Sequence, residues 1–165
     1  MSTPIPEILQ FEKHLEYGVL SLLAGCADNL YHSREVTAAN TPRIEVKAIT
    51  GAALNHAHKF PNVNSQAFMY DAYEGTIEIT IATNREVDAP TQTHLQLLGL
   101  VRAKLQRVNV LANWQTYQHV ILITDIREQG TTDSFIDEQG VDYSVIEHYV
   151  LFNVNPDAWP ADFSV

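Results

Sequence analysis

Residues 74–81 alternate without a break: Gly75, Ile77, Ile79 and Ile81 on one parity, Glu74, Thr76, Glu78 and Thr80 on the other. Successive strand side chains point to opposite faces, so one face of this segment is isoleucine and the other is Glu and Thr. A strand buried on both faces reads as a continuous apolar run, whereas this alternation predicts an antiparallel sheet with one wet face. Asp88-Ala-Pro90 breaks the strand, and Thr93-His-Leu-Gln96 matches a capping box that opens a helix. Leu98, Val101, Leu105 and Val108 then recur at spacings of three and four, a helical stripe widened by Leu97 and Leu111. Strand and helix, Tyr73 to Leu111, form the unit that the other elements cover or extend.

A first helix is expected within residues 1–25, with Thr3 as cap, Pro4 or Pro6 in its first turn and Gly25 as its stop. Ile8, Phe11, Leu15, Val19 and Leu22 form its apolar stripe against Glu7, Glu12, Lys13 and Glu16. His14 and His32 read as surface or capping histidines. Residues 28–42 read as loop, and Arg43–Ile49 as the first strand, ended or bulged at Thr50-Gly51. Residues 54–70 read as a long loop or a short strand with an irregular crossing. Residues 119–126 are apolar on both parities and read as a middle strand.

The last strand, Tyr143–Val154, carries Ile146, His148, Val150, Phe152 and Val154 on one face and Tyr143, Val145, Glu147, Tyr149 and Leu151 on the other. One face suits the domain core; the other needs cover from a helix of this chain or from another subunit. Between the two strands, residues 128–142 hold Asp133, Asp137, Glu138 and Asp142 and few apolar side chains to offset the entropy of ordering. They read as an extended, mobile acidic hairpin arm that Phe135 and Ile136 anchor on a neighbour. The fold class is α+β: a mostly antiparallel sheet of about four strands flanked by two main helices, with that arm. It is one domain over residues 1–165, with sheet and central helix in 43–154 and a tail at 155–165.

Charge and chemistry narrow the function. Net charge is −10, and residues 71–165 carry fourteen acids against five bases. Tight phosphate binding needs clustered Lys and Arg, so this half is a poor nucleic-acid binder, and Arg102, Lys104 and Arg107 read as a solvated helix face. No apolar run approaches the ~20 residues of a membrane helix. Cys26 is the single cysteine, which excludes an intramolecular disulfide and multi-cysteine metal sites. It reads as a small core residue. His56-Ala-His58 puts two imidazoles on one side of a strand, but a third ligand at a convincing spacing is missing. No Walker A, G-x-G-x-x-G, G-x-S-x-G or paired CxxC occurs. Asp125 or Glu147 with His148 is the one acid–base pairing that adjacent strands offer. No catalytic, cofactor or metal residue is assigned.

The order helix, strand, loop, strand, helix, strand, arm, strand, tail, with Arg43-Ile-Glu-Val, Tyr73-Glu-Gly-Thr-Ile-Glu-Ile-Thr-Ile and a helix after Pro90, resembles tailed-bacteriophage tail-terminator and tail-completion proteins over residues 5–155. The resemblance implies a non-enzymatic virion protein, assembled in the host cytoplasm, that forms a six-fold homo-oligomeric ring at the head-proximal end of the tail tube. Its partners are then tube and neck proteins, with DNA passing through unbound and no membrane. Interface residues expected on this reading are Asp133, Phe135, Ile136, Asp137, Glu138, Tyr149 and Leu151. The alternatives are a head–tail adaptor or other neck protein and, from another class, a small cytosolic α+β enzyme or ligand-binding domain.

Overall fold

The alternating segment is the middle of a six-stranded sheet. The computed structural model describes residues 10–35, 40–54, 71–88, 94–114, 121–132 and 135–154. In chain order these form α1 (Phe11–Leu22), β1 (Asn29–His32), a 3-10 turn (Ser33–Glu35), β2 (Arg43–Leu54), β3 (Asp71–Asn84), α2 (His94–Lys104), α3 (Arg107–Asn113), β4 (Ile121–Thr131), β5 (Phe135–Ile136) and β6 (Val141–Val154). The strand order is β1-β2-β3-β6-β4, with β5 also on β6. Every pairing is antiparallel except β1 with β2.

One face of this sheet is the core. Ile44, Val46 and Ala48 of β2, Ile77, Ile79 and Ile81 of β3, and Ile146, Val150 and Phe152 of β6 are all fully buried. They form a single cluster with Leu15 and Val19 of α1, Leu97, Leu98 and Val101 of α2, and Val110 of α3. All three helices therefore lie on the isoleucine side. Tyr73 stacks on Phe152 at 5.6 Å between ring centroids, and Phe11 of α1 closes on Tyr73 at 5.1 Å.

Several expectations are corrected. The sheet is mixed and has more than four strands, because residues 28–42 contain β1, held parallel to β2 in the register Asn29↔Arg43. The long central helix is two helices: the chain turns at Leu105–Gln106, so Leu105 stays buried while Val108 points to solvent. β4 is an edge strand, not a middle one; Ile121, Ile123 and Ile126 face the core and Leu122 is exposed. His14 and Glu16 are buried, so the polar side of α1 is narrower than the sequence suggests. At Thr50-Gly51, read as an end or a bulge, the structure has the bulge: the register with β3 shifts between Thr50 and Ala53, as one of the two expectations had it.

In the acidic arm, the described residues of β4, β5 and β6 pair as strands of the sheet. Glu128, Gly130 and Thr131 pair with His148, Glu147 and Ile146, while Phe135 and Ile136 pair with Tyr143 and Asp142. The tip is braced through Asp137. Its Oδ1 accepts from the amides of Gln139 at 2.9 Å and Val141 at 3.0 Å, and its Oδ2 accepts from the Tyr143 hydroxyl at 3.1 Å. Those donors hold the Asp137 carboxyl below its ordinary pKa, the Val141 amide first among them. Gly140 supplies the positive φ of 79° that the turn requires.

Candidate interaction surface: the open face of the sheet

Strand periodicity that sends isoleucine inward sends a second set of side chains to the opposite face, and among the described residues no helix covers it. The register lays that face out in rows across β2, β3 and β6: Arg43, Ala82, Tyr143; Glu45, Thr80, Val145; Lys47, Glu78, Glu147; Ile49, Thr76, Tyr149. Val145, Tyr149 and Leu151 are half-buried, and Ile49 and Leu122 are exposed. The face is thus neither a wet polar surface nor a finished core.

Its polar groups are partly organised. Arg43 is buried among its neighbours. Its Nε donates to Glu45 Oε2 at 3.2 Å, its Nη2 donates to the Tyr143 hydroxyl, and its guanidinium sits 5.5 Å from the Tyr143 ring centroid. The Tyr149 hydroxyl donates to Glu74 Oε2 at 2.9 Å, which holds the phenol above its ordinary pKa. Glu78 and Glu147 stand directly opposite each other in register. Two carboxylates so placed repel. On the far sides Glu147 is paired with Gly130, which offers no cation, and Glu78 with Lys47, which does.

Two other places have the look of chemistry. Between α1 and the ends of β1 and β2 is a hollow of about 570 Å³ lined by Lys13, Glu16, His32, Arg34 and Thr50 among others. Glu16 is 3% exposed; Arg34 Nη1 lies 3.2 Å from Glu16 Oε1, and His32 Nδ1 lies 3.8 Å from Glu16 Oε2. Burial raises the Glu16 carboxyl above its ordinary pKa, against the pull of Arg34 and His32. The second place joins α2 to the sheet. The two ring nitrogens of His94 lie 2.8 Å from Thr83 Oγ1 and 2.7 Å from Ser144 Oγ, and burial lowers the imidazole pKa. Ser144 is 1% exposed, so its hydroxyl is buried at the contact between α2 and the sheet.

The sequence-derived residues fall as follows. Tyr149 and Leu151 lie together on the open face. Ile136 and Glu138 are exposed at the braced tip, whereas Asp137 is committed to bonds within its own turn. Phe135 lies on β5; Asp133 is outside the described residues, as are His56, His58, Thr3 and Thr93. The Asp125, Glu147 and His148 constellation does not assemble. Glu147 faces the open side, His148 faces the core, and Asp125 is held by Arg107 at 2.8 Å and Arg127 at 3.0 Å. Arg107 is the main reason the Asp125 carboxyl sits below its ordinary pKa. Among the described residues no group of three or more His, Cys, Asp or Glu converges on a metal-sized site, and no helix is long and apolar enough to cross a membrane. Cys26 is buried in the core cluster.

One signal was available in the sequence and bears on the helix layer. Residues 89–124 contain no Asp or Glu at all, in a chain of net charge −10. That segment is α2, α3 and their flanks.

No protein-family model matches this chain, and no curated protein does. Among solved structures it is similar to a chain of the "Virion of native gene transfer agent (GTA) particle", at 8% identity and a TM-score of 0.45, over 92% of this chain and 99% of that one.

Proposed function

We propose that this chain is a structural, non-enzymatic virion protein of the tailed-phage type, a subunit of a six-fold ring that caps the tail tube and meets the neck. The resemblance in element order motivates the reading, and the open sheet face carries it. A half-apolar sheet face is covered either by the chain's own helices or by another subunit. Here the described helices all lie on the other side. The burial of Ser144 favours a structural part for its contact with His94. Acidic side chains on the open face, Glu45, Glu74, Glu78 and Glu147, suit a particle through which DNA passes without adhering.

The test is the mass in solution. Light scattering on the size-exclusion eluate is expected to give a concentration-dependent species approaching six times the 18.5 kDa chain. A single-chain mass at the highest attainable concentration contradicts the proposal.

A further inference from the structure

We infer that the outer face of the α2–α3 pair of one copy docks, head to tail, on the open sheet face of a second copy, with Lys104 meeting Glu147. This rests on the ring reading and specifies its contact.

The helix surface is apolar where a solvated surface is charged. Leu95 is 75% and Val108 78% exposed, with Leu100 and Leu111 also exposed on the same pair of helices. Gly99 and Ala103 lie between them, and a Cβ at Gly99 would meet nothing within 4 Å, which leaves a shallow place for a partner's side chain. Its cations are unevenly used. Arg102 is held by Glu128 at 3.1 Å and Arg107 by Asp125 at 2.8 Å, while Lys104 makes no ion pair among the described residues.

The sheet surface is complementary to it. Its apolar residues, Ile49, Leu122, Val145, Tyr149 and Leu151, are half-buried or exposed, and its surplus charge is negative. Glu78 has Lys47 opposite it on its other side, whereas Glu147 has only Gly130, so a lysine brought from outside supplies the cation that Glu147 lacks in register. Docking gives the sheet a helix layer on the face that no helix covers among the described residues. Apolar contact supplies the affinity, and the charges set register and association rate. Because the two surfaces differ and lie on opposite sides of the protomer, the contact is heterologous. Such a contact closes into a six-membered ring when successive copies are related by one-sixth of a turn, and extends as a filament when the rotation does not close.

The test uses blocked surfaces in the full-length chain, each variant first shown to melt as the unaltered protein does. Val108→Glu blocks the helix face and Val145→Glu the sheet face; Leu122→Glu replaces the latter if Val145→Glu unfolds. Each alone is expected to raise the concentration midpoint of assembly by roughly thirtyfold or more, the weight of a buried interface anchor. Mixed, they are expected to form a one-to-one dimer and stop, since one intact pair of surfaces remains. Lys104→Glu is expected to block assembly and Glu147→Lys in the same chain to restore it. If Val108→Glu assembles as the unaltered chain does, the docking mode is overturned while the ring reading stands. Self-association of either blocked variant into dimers overturns the head-to-tail arrangement. If the unaltered chain never assembles, both fall.

Discussion

Gly18 of α1 lies against the six-membered ring of Trp114, so close that a Cβ on residue 18 would overlap the Cζ2 and Cη2 atoms. The indole is fixed from its other side, because its Nε1 donates to the carbonyl of Ile121 at 3.0 Å. One aromatic side chain therefore joins the first helix, the end of α3 and the start of β4. Replacing Gly18 by alanine forces the ring to move and strains that bond. Gly18→Ala is expected to lower stability by about 1–3 kcal/mol, the usual cost of overpacking, despite alanine's better helix propensity. Urea denaturation measures it; an unchanged or raised midpoint contradicts the packing.

The turn at Leu105–Gln106 separates two neighbours of the same apolar stripe. Leu105 is buried in the core and Val108 is not. Leu105→Ala is expected to cost about 2–5 kcal/mol, as buried leucines do. Val108→Ala should stay within about 0.5 kcal/mol of the unaltered protein. Equal effects at the two positions would mean that a single continuous helix packs here.

Stability should depend on pH through buried histidines. Burial lowers the pKa of both His94 and His148, and His148 Nδ1 has no hydrogen-bond partner among the described residues. The unfolded chain then binds more protons than the folded one just below the ordinary value of 6.5. Stability from these groups is fully present above pH 6.5 and is lost as the pH falls toward their folded values. Glu16 acts in the opposite direction: its raised pKa makes stability decline as the pH rises above 4.5. Urea midpoints taken between pH 7 and pH 5.5 should fall, and the fall should be smaller in His148→Gln. An equal fall in that variant contradicts the assignment.

Hydrogen exchange reads the hairpin tip. The amides of Gln139 and Val141 donate to Asp137, and the Thr132 amide donates to the Val145 carbonyl at 2.9 Å. These amides are expected to be protected in the free subunit, and Asp137→Ala should release Gln139 and Val141 while leaving β3 protected. Rapid exchange at all three in the unaltered chain would restore the mobile arm.

What the sequence made legible follows from periodicity. The isoleucine face of β3, the two faces of β6 and the core stripe from Leu97 to Leu105 all repeat often enough to be read directly. β1 escaped because four residues, Asn29–His32, are too few for a period and their pairing with β2 is non-local. β4 was misplaced because apolar residues on both parities describe an edge strand whose outer side is left open as well as they describe a middle strand. The hairpin itself was legible, but the bracing of its tip was not, because it comes from Asp137 oxygens capping backbone amides, a gain that counting apolar side chains omits. Of the candidate surface, Tyr149 and Leu151 were legible as an apolar face needing cover. The Glu78–Glu147 opposition was not, because it depends on the pairing register of β3 with β6.

The most direct measurement is electron microscopy of the assembled protein. Class averages viewed down the particle axis are expected to show a closed six-fold ring around an open channel, with the sheet of each subunit covered by the helix pair of the next. Compact monomers, two-fold dimers or open filaments in those averages would contradict the account.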